Sequence, residues 1–154
     1  MLSNIMINKY SILLLLLFAA VSAQAQTTPE VRKTSSFDKN WFFLQGDAPG
    51  ADQKVFNDSK WQKLNLPHDW GISGPFKQEY PSATGKLPWW GTAWYRKHFT
   101  LPASDAGRQL FLDVDGAMAY ASVWVNGHWA GGWPYGYSSG RVGVTPSSHP
   151  GADN

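Results

Sequence analysis

The chain has 154 residues, with 13 Lys and Arg set against 11 Asp and Glu for a formal net charge of +2, and it contains no cysteine. So even a balance excludes the electrostatic footprint of a nucleic-acid or anionic-lipid binder, and zero cysteine excludes disulfide staples, thiolate nucleophiles and zinc–cysteine sites. The unusual feature is aromatic: nine Trp, six Tyr and eight Phe.

At the N-terminus a single positive charge, Lys9, precedes the apolar run Ile12 to Val21, which includes five consecutive leucines, and Ala23-Gln24-Ala25 follows. The run falls well short of the roughly 20 residues that span a bilayer, and its small-x-small ending suits a signal peptidase. Residues 1–25 therefore read as a signal peptide cleaved after Ala25, with a periplasmic or secreted destination and no membrane attachment afterwards. Cleavage leaves 129 of the 154 residues and 12 of the 13 basic ones, a balance of +1. That length suffices for one domain burying about two-thirds of its unfolded surface.

Residues 26–36 are polar, contain Pro29 and lack an apolar period, so they read as a flexible leader. Structure is expected from Phe37. Trp41 to Leu44 is a short aromatic strand stopped by Gln45-Gly46-Asp47. Val55 to Trp61 reads as a turn, with Phe56 and Trp61 packing inward. Leu64 and Leu66 alternate with Lys63 and Asn65 as in a half-buried strand, which Pro67 ends by withholding a donor. Gly71 to Pro88 holds three prolines and three glycines, an irregular loop of the length that usually serves function.

Thr92 to Leu101 reads as a strand with Tyr95, Phe99 and Leu101 on one face and Arg96, His98 and Thr100 on the other. Leu110, Leu112 and Val114 alternate with Phe111, Asp113 and Asp115 in the next. Asn126-Gly127 between Tyr120–Val125 and His128–Ala130 predicts a hairpin, since a type I′ turn needs positive φ at both central residues. Gly131 to Tyr137 reads as a glycine and aromatic loop, and Arg141 to Thr145 as a weak last strand, because interior glycines such as Gly140 and Gly143 weaken pairing. Short strands punctuated by Gly and Pro, with no helical period, indicate an all-β sandwich or jelly roll.

Three motifs then stand in order: Trp61-Gln62-Lys63-Leu64-Asn65-Leu66-Pro67-His68-Asp69-Trp70, Trp90-Gly91-Thr92-Ala93-Trp94-Tyr95-Arg96-Lys97, and Val123-Trp124-Val125-Asn126-Gly127. Together they resemble the N-terminal sugar-binding domain of family 2 glycoside hydrolases, the β-galactosidases in particular, over residues 37–154. The resemblance implies a jelly-roll, galactose-binding-like β-sandwich that precedes an immunoglobulin-like domain and a TIM barrel bearing two catalytic glutamates. It also implies a carbohydrate partner, a terminal β-linked sugar such as a galactoside. In that family Pro150 to Asn154 resembles the turn before another core strand, so a sandwich incomplete at its C-terminus is expected. The rival readings are a free-standing carbohydrate-binding module and a non-functional truncated gene product.

No catalytic residue is expected in the chain itself. Adjacent His68 and Asp69 suit structural hydrogen bonding better than acid–base work. Asp113 and Asp115 would lie about 7 Å apart on one strand, near the roughly 5–5.5 Å of a retaining pair, but neighbours on one strand point the same way and cannot straddle a sugar; turn and loop hydrogen bonds near Gly116 are expected instead. Flat aromatic faces suit pyranose rings. Trp41, Trp94 and Trp124 read as packing. The candidates for sugar or barrel contact are His68, Asp69, Trp70, Glu79, Tyr80, Thr84, Trp89, Trp90 and Trp133. No cofactor is expected, and His68, His98, His128 and His149 lack metal-ligand spacing.

Overall fold

A computed structural model of the protein describes residues 32–154. Residues Phe37–Asn154 form one compact unit. The expected signal peptide, its cleavage after Ala25 and most of the leader lie outside the described residues. Seven strands lie in the compact unit: β1 (Trp41–Gln45), β2 (Gln62–Leu64), β3 (Ala93–Arg96), β4 (Phe111–Val114), β5 (Ala121–Val125), β6 (His128–Trp133) and β7 (Gly140–Gly143). Only single 3₁₀ turns interrupt the loops between them, and the fold is an all-β sandwich. No described helix is long and apolar enough to cross a membrane.

The strands pair antiparallel as β2-β1-β3, β4-β7 and β5-β6. Successive side chains of a strand face opposite ways, and β1 is covered on both sides. Phe42 and Leu44 pack with Phe56 and Trp94 around buried Ala48, Ala51 and Trp61, as the turn reading of Val55 to Trp61 anticipates. On the other side buried Phe43 meets the ring of His68 at 4.7 Å and that of Tyr95 at 5.0 Å. Each aromatic removed from water contributes about 1.5–3 kcal/mol, so β1 and its two layers carry much of the packing.

One expected strand and one expected loop differ from what forms. The long strand from Thr92 to Leu101 stops at Arg96, and Thr100 and Leu101 make only isolated bridges to Asp153 and Pro150. Its ladder partner β1 begins at Trp41, and Phe42 is already opposite Arg96, so the register leaves Trp41 alone for Lys97 and no β1 backbone for His98 onward. The second difference concerns Gly131 to Tyr137, read as a loop: residues up to Trp133 are strand, paired with β5 back to Ala121↔Trp133.

The Asn126-Gly127 hairpin forms as expected, with φ of 52° and 84° at the two turn residues, and a bulge at Val123/Trp124 sharpens its twist. On β4, Leu112 and Val114 turn inward while Phe111 and Asp113 are exposed. Gly140 of β7 is required by packing. A Cβ there would stand 2.7 Å from Cε3 of Trp133, so the glycine that looked like a flaw in the strand is where an indole lies on the backbone.

Candidate functional site

The candidate site is the segment from His68 to Gly91, whose base is anchored and whose rim is apolar. At the base, His68 Nδ1 lies 2.9 Å from the Tyr95 hydroxyl. Burial, with the Asp69 charge adding to it, pushes the Tyr95 phenol up to about 12, so it stays protonated. Asp69 does not pair with His68; its Oδ1 accepts from Gly71 N at 2.9 Å and caps the 3₁₀ turn Trp70–Ile72. Both residues hold structure, and neither forms an acid–base dyad.

Buried Gly71 lets this turn approach the other end of the loop. A Cβ there would meet Asp69 Oδ1 at 3.1 Å, Leu87 Cδ1 at 3.6 Å and the Trp89 carbonyl at 3.8 Å. Trp89 Nε1 donates to Gly74 O at 3.3 Å, and Lys86 Nζ reaches Gln78 O at 2.6 Å and Tyr80 O at 3.3 Å. The loop is thus bound to itself at several points rather than splayed into solvent.

On this anchored base the apolar rim is open. Trp90 is 64% exposed and Trp89 39%, and Ile72 and Phe76 are likewise exposed. Trp70 and Tyr80 are half-buried, Glu79 is exposed, and Thr84 ends the 3₁₀ turn Ser82–Thr84 in the middle of the loop. Ile72 and Phe76 were missed in the sequence. An apolar residue in a Gly/Pro-rich stretch with no strand period has no core to enter, and that signal could have found them.

Trp133, expected in the same group, does not belong there. It is a half-buried strand residue packed on Gly140, with its indole nitrogen buried and unpartnered. Trp124, expected to pack, stacks on Trp94 at 5.5 Å while keeping one edge in solvent.

Asp113, opposite Arg141 in the ladder, accepts from Nε at 2.5 Å and Nη2 at 2.9 Å. A carboxylate held in both prongs of a guanidinium neither attacks nor delivers a proton readily. This cross-strand ion pair engages both oxygens of Asp113. With Val114, Asp115, Ser139 and Gly140 the pair lines an open cleft of about 370 Å³. No group of three or more metal-ligating side chains occurs among the described residues.

Fold and site together define a β-sandwich that presents an exposed aromatic loop. The chain is homologous to one part of the family 2 glycoside hydrolases. It is 42% identical over 129 residues to a β-galactosidase of Bacteroides ovatus, a match covering 82% of this chain and 15% of that protein. A family 2 member from Bacteroides cellulosilyticus superposes with a TM-score of 0.68 at 34% identity, covering 77% of this chain and 16% of that one. A β-glycosidase from Bacteroides vulgatus does so at 0.73 and 39%, covering 79% and 16%. Other curated relatives are β-glucuronidases of Formosa agariphila. No protein-family model matches the sequence. The chain spans about 15% of the length of the first of these relatives.

Proposed function

We propose that residues 37–154 form the N-terminal, carbohydrate-facing scaffold domain of an exported family 2 glycoside hydrolase that removes terminal β-linked sugars, galactosides first among them. In this reading the retaining pair of glutamates belongs to a barrel domain, and the present domain supplies part of the wall around the substrate. The observation that carries it is the self-bonded loop from Trp70 to Gly91, in which Trp89 is hydrogen-bonded to Gly74 and both Trp89 and its neighbour Trp90 stay exposed. A surface of that kind, fixed before contact and apolar in the open, suits a pyranose ring or a neighbouring domain that encloses one. Relatives that are β-galactosidases and relatives that are β-glucuronidases support the same reaction class with different sugars.

An antibody raised against residues 37–154 tests this in the producing cells. The reading expects a band several times the 17.1 kDa of this chain, located in the periplasm or medium, that releases chromophore from a nitrophenyl β-galactoside in a zymogram. Activity on the β-glucuronide instead would change the sugar and keep the class. A lone small band whose tryptophan fluorescence is quenched by galactose or lactose would establish the free-standing module in its place. A small band that neither binds sugar nor unfolds cooperatively would mark a relic.

A further inference from the structure

The Asn126-Gly127 turn does more than reverse the chain. Asn126 Nδ2 donates to the carbonyl of Ser147 at 2.7 Å and to Oδ1 of Asn154 at 3.0 Å, with Nδ1 of His149 at 3.3 Å. Its own Oδ1 is buried without a partner. Asn154 cannot turn over to accommodate a different neighbour. Its Oδ1 also accepts from His149 N at 2.7 Å, and its Nδ2 donates to His149 O at 3.2 Å and Ala152 O at 3.0 Å. Its backbone exchanges hydrogen bonds with Phe99, and the residue is 8% exposed. The carboxamide at 126 is therefore held with its nitrogen toward acceptors and away from its own main chain.

Asparagine followed by glycine is also a reactive pair. The Gly127 nitrogen, unhindered by a side chain, can attack the Asn126 side-chain carbonyl carbon. A bond forms between Gly127 N and Asn126 Cγ, the Cγ–Nδ2 bond breaks, and Nδ2 leaves as ammonia with the proton given up by the Gly127 amide. Water then opens the five-membered imide at Cγ to give aspartate, or at the main-chain carbonyl to give isoaspartate. Closing that ring requires the side chain to swing back over its own backbone, releasing Ser147 and Asn154.

We propose that Asn126 is a spontaneous modification site guarded by its clasp with Ser147 and Asn154. Deamidation is slow while the turn of residues 147–154 is docked, and once it occurs the turn is released for good. The product places a carboxylate against the Ser147 carbonyl and Asn154 Oδ1, acceptors facing an acceptor, with the His149 ring nitrogen the one neighbour there able to donate, so two of the three contacts turn repulsive.

The full chain and a peptide covering residues 120–133 are incubated side by side at neutral pH, and amide-to-acid conversion at 126 is read by peptide mapping. The folded chain should convert slower by on the order of tenfold or more, the protection a docked segment gives against local opening. Asn154→Ala should bring the folded rate toward that of the peptide. Equal rates in wild-type chain and peptide would overturn the proposal, as would an N154A chain that keeps its fold and its protection. Should N154A fail to fold, the wild type still decides: its deamidated form, separated by charge, should lose hydrogen-exchange protection at the Phe99 and Asn154 amides, and full protection there would sink the idea.

Discussion

The carboxylate of Asp58 accepts a hydrogen bond from Arg96 Nε at 3.0 Å across a contact buried on both sides, with the Asp58 residue only 7% exposed. His98 Nε2 lies 2.8 Å from the same oxygen, Arg96 also donates to the carbonyls of Ala51 and Gln53, and its guanidinium covers the Phe56 ring. One aspartate thereby pins the loop that carries Ala48, Ala51 and Phe56 onto β3. Asp58→Ala would leave a guanidinium buried without its partner, and removing one member of such a pair costs about 3–5 kcal/mol. A urea midpoint at neutral pH measures it.

The same pair gives the domain an acid limit. Burial raises the Asp58 carboxyl, but the hydrogen bonds and charges of Arg96 and His98 outweigh it and hold it below its ordinary value. For a carboxyl depressed by folding, stability is fully present above the unfolded value, about 3.9, and is lost as pH falls through the folded one. The wild type should therefore lose stability below about pH 4, whereas Asp58→Asn, weaker at neutral pH, should lose less over that window. A pH series of thermal midpoints for both proteins shows whether the curves converge.

Tyr95 sets the opposite limit. Its phenol is raised from 10.0 to about 12, so the fold favours the protonated form. Stability from this group is complete below the unfolded value near 10 and drains away as pH rises toward 12. Tyr95→Phe removes the alkaline loss but leaves His68 Nδ1 without its partner, a cost of about 1–3 kcal/mol at neutral pH. Ultraviolet titration should show one tyrosine fewer resisting ionisation in the variant.

Legibility in the sequence followed the range of the interaction. The Asn126-Gly127 turn and the inward Leu112 and Val114 were readable because each is a local rule, a backbone sign or a period of two. The end of β3 was not, because it depends on where β1 starts, far back in the chain. Nor was the Asp58 cluster, whose partners lie 38 and 40 residues further on. Trp133 was read as a loop residue for a different reason: its partner, though only seven residues on, is a strand glycine that looks, in sequence, like a defect. In the candidate site, the exposure of Trp89 and Trp90 was legible from their Gly/Pro surroundings. The bonds from Trp89 and Lys86 that stiffen the loop were not.

Two glycines of β7 that read alike in the sequence should behave oppositely. At Gly140 a methyl group would meet Trp133 at 2.7 Å, whereas at Gly143 its nearest neighbour is Phe111 Cε1 at 3.9 Å. Gly140→Ala overpacks the indole and should cost about 1–3 kcal/mol. Gly143→Ala adds a methyl group in ordinary van der Waals contact and should stabilise by about 0.4–1 kcal/mol, because it narrows the unfolded chain's freedom. Thermal midpoints that move together would show that the indole does not rest on Gly140.

The tryptophans separate packing from contact in the same way. Trp61 is 9% exposed within the cluster of Ala48 and Ala51, and Trp90 is 64% exposed on the loop rim. Trp61→Ala empties part of the core and should cost about 3–5 kcal/mol. Trp90→Ala removes no packed surface and should change the urea midpoint by less than about 0.5 kcal/mol. If the rim touches sugar or encloses it, Trp90→Ala should still weaken the glycosidase proposed above, chiefly as a rise in KM, because a platform that binds ground state and transition state alike adds affinity without speeding the chemistry. Unchanged KM and kcat in an enzyme carrying Trp90→Ala would make the exposed ring an ordinary surface residue and move the search for the contact face to Phe76 and Ile72 on the same loop.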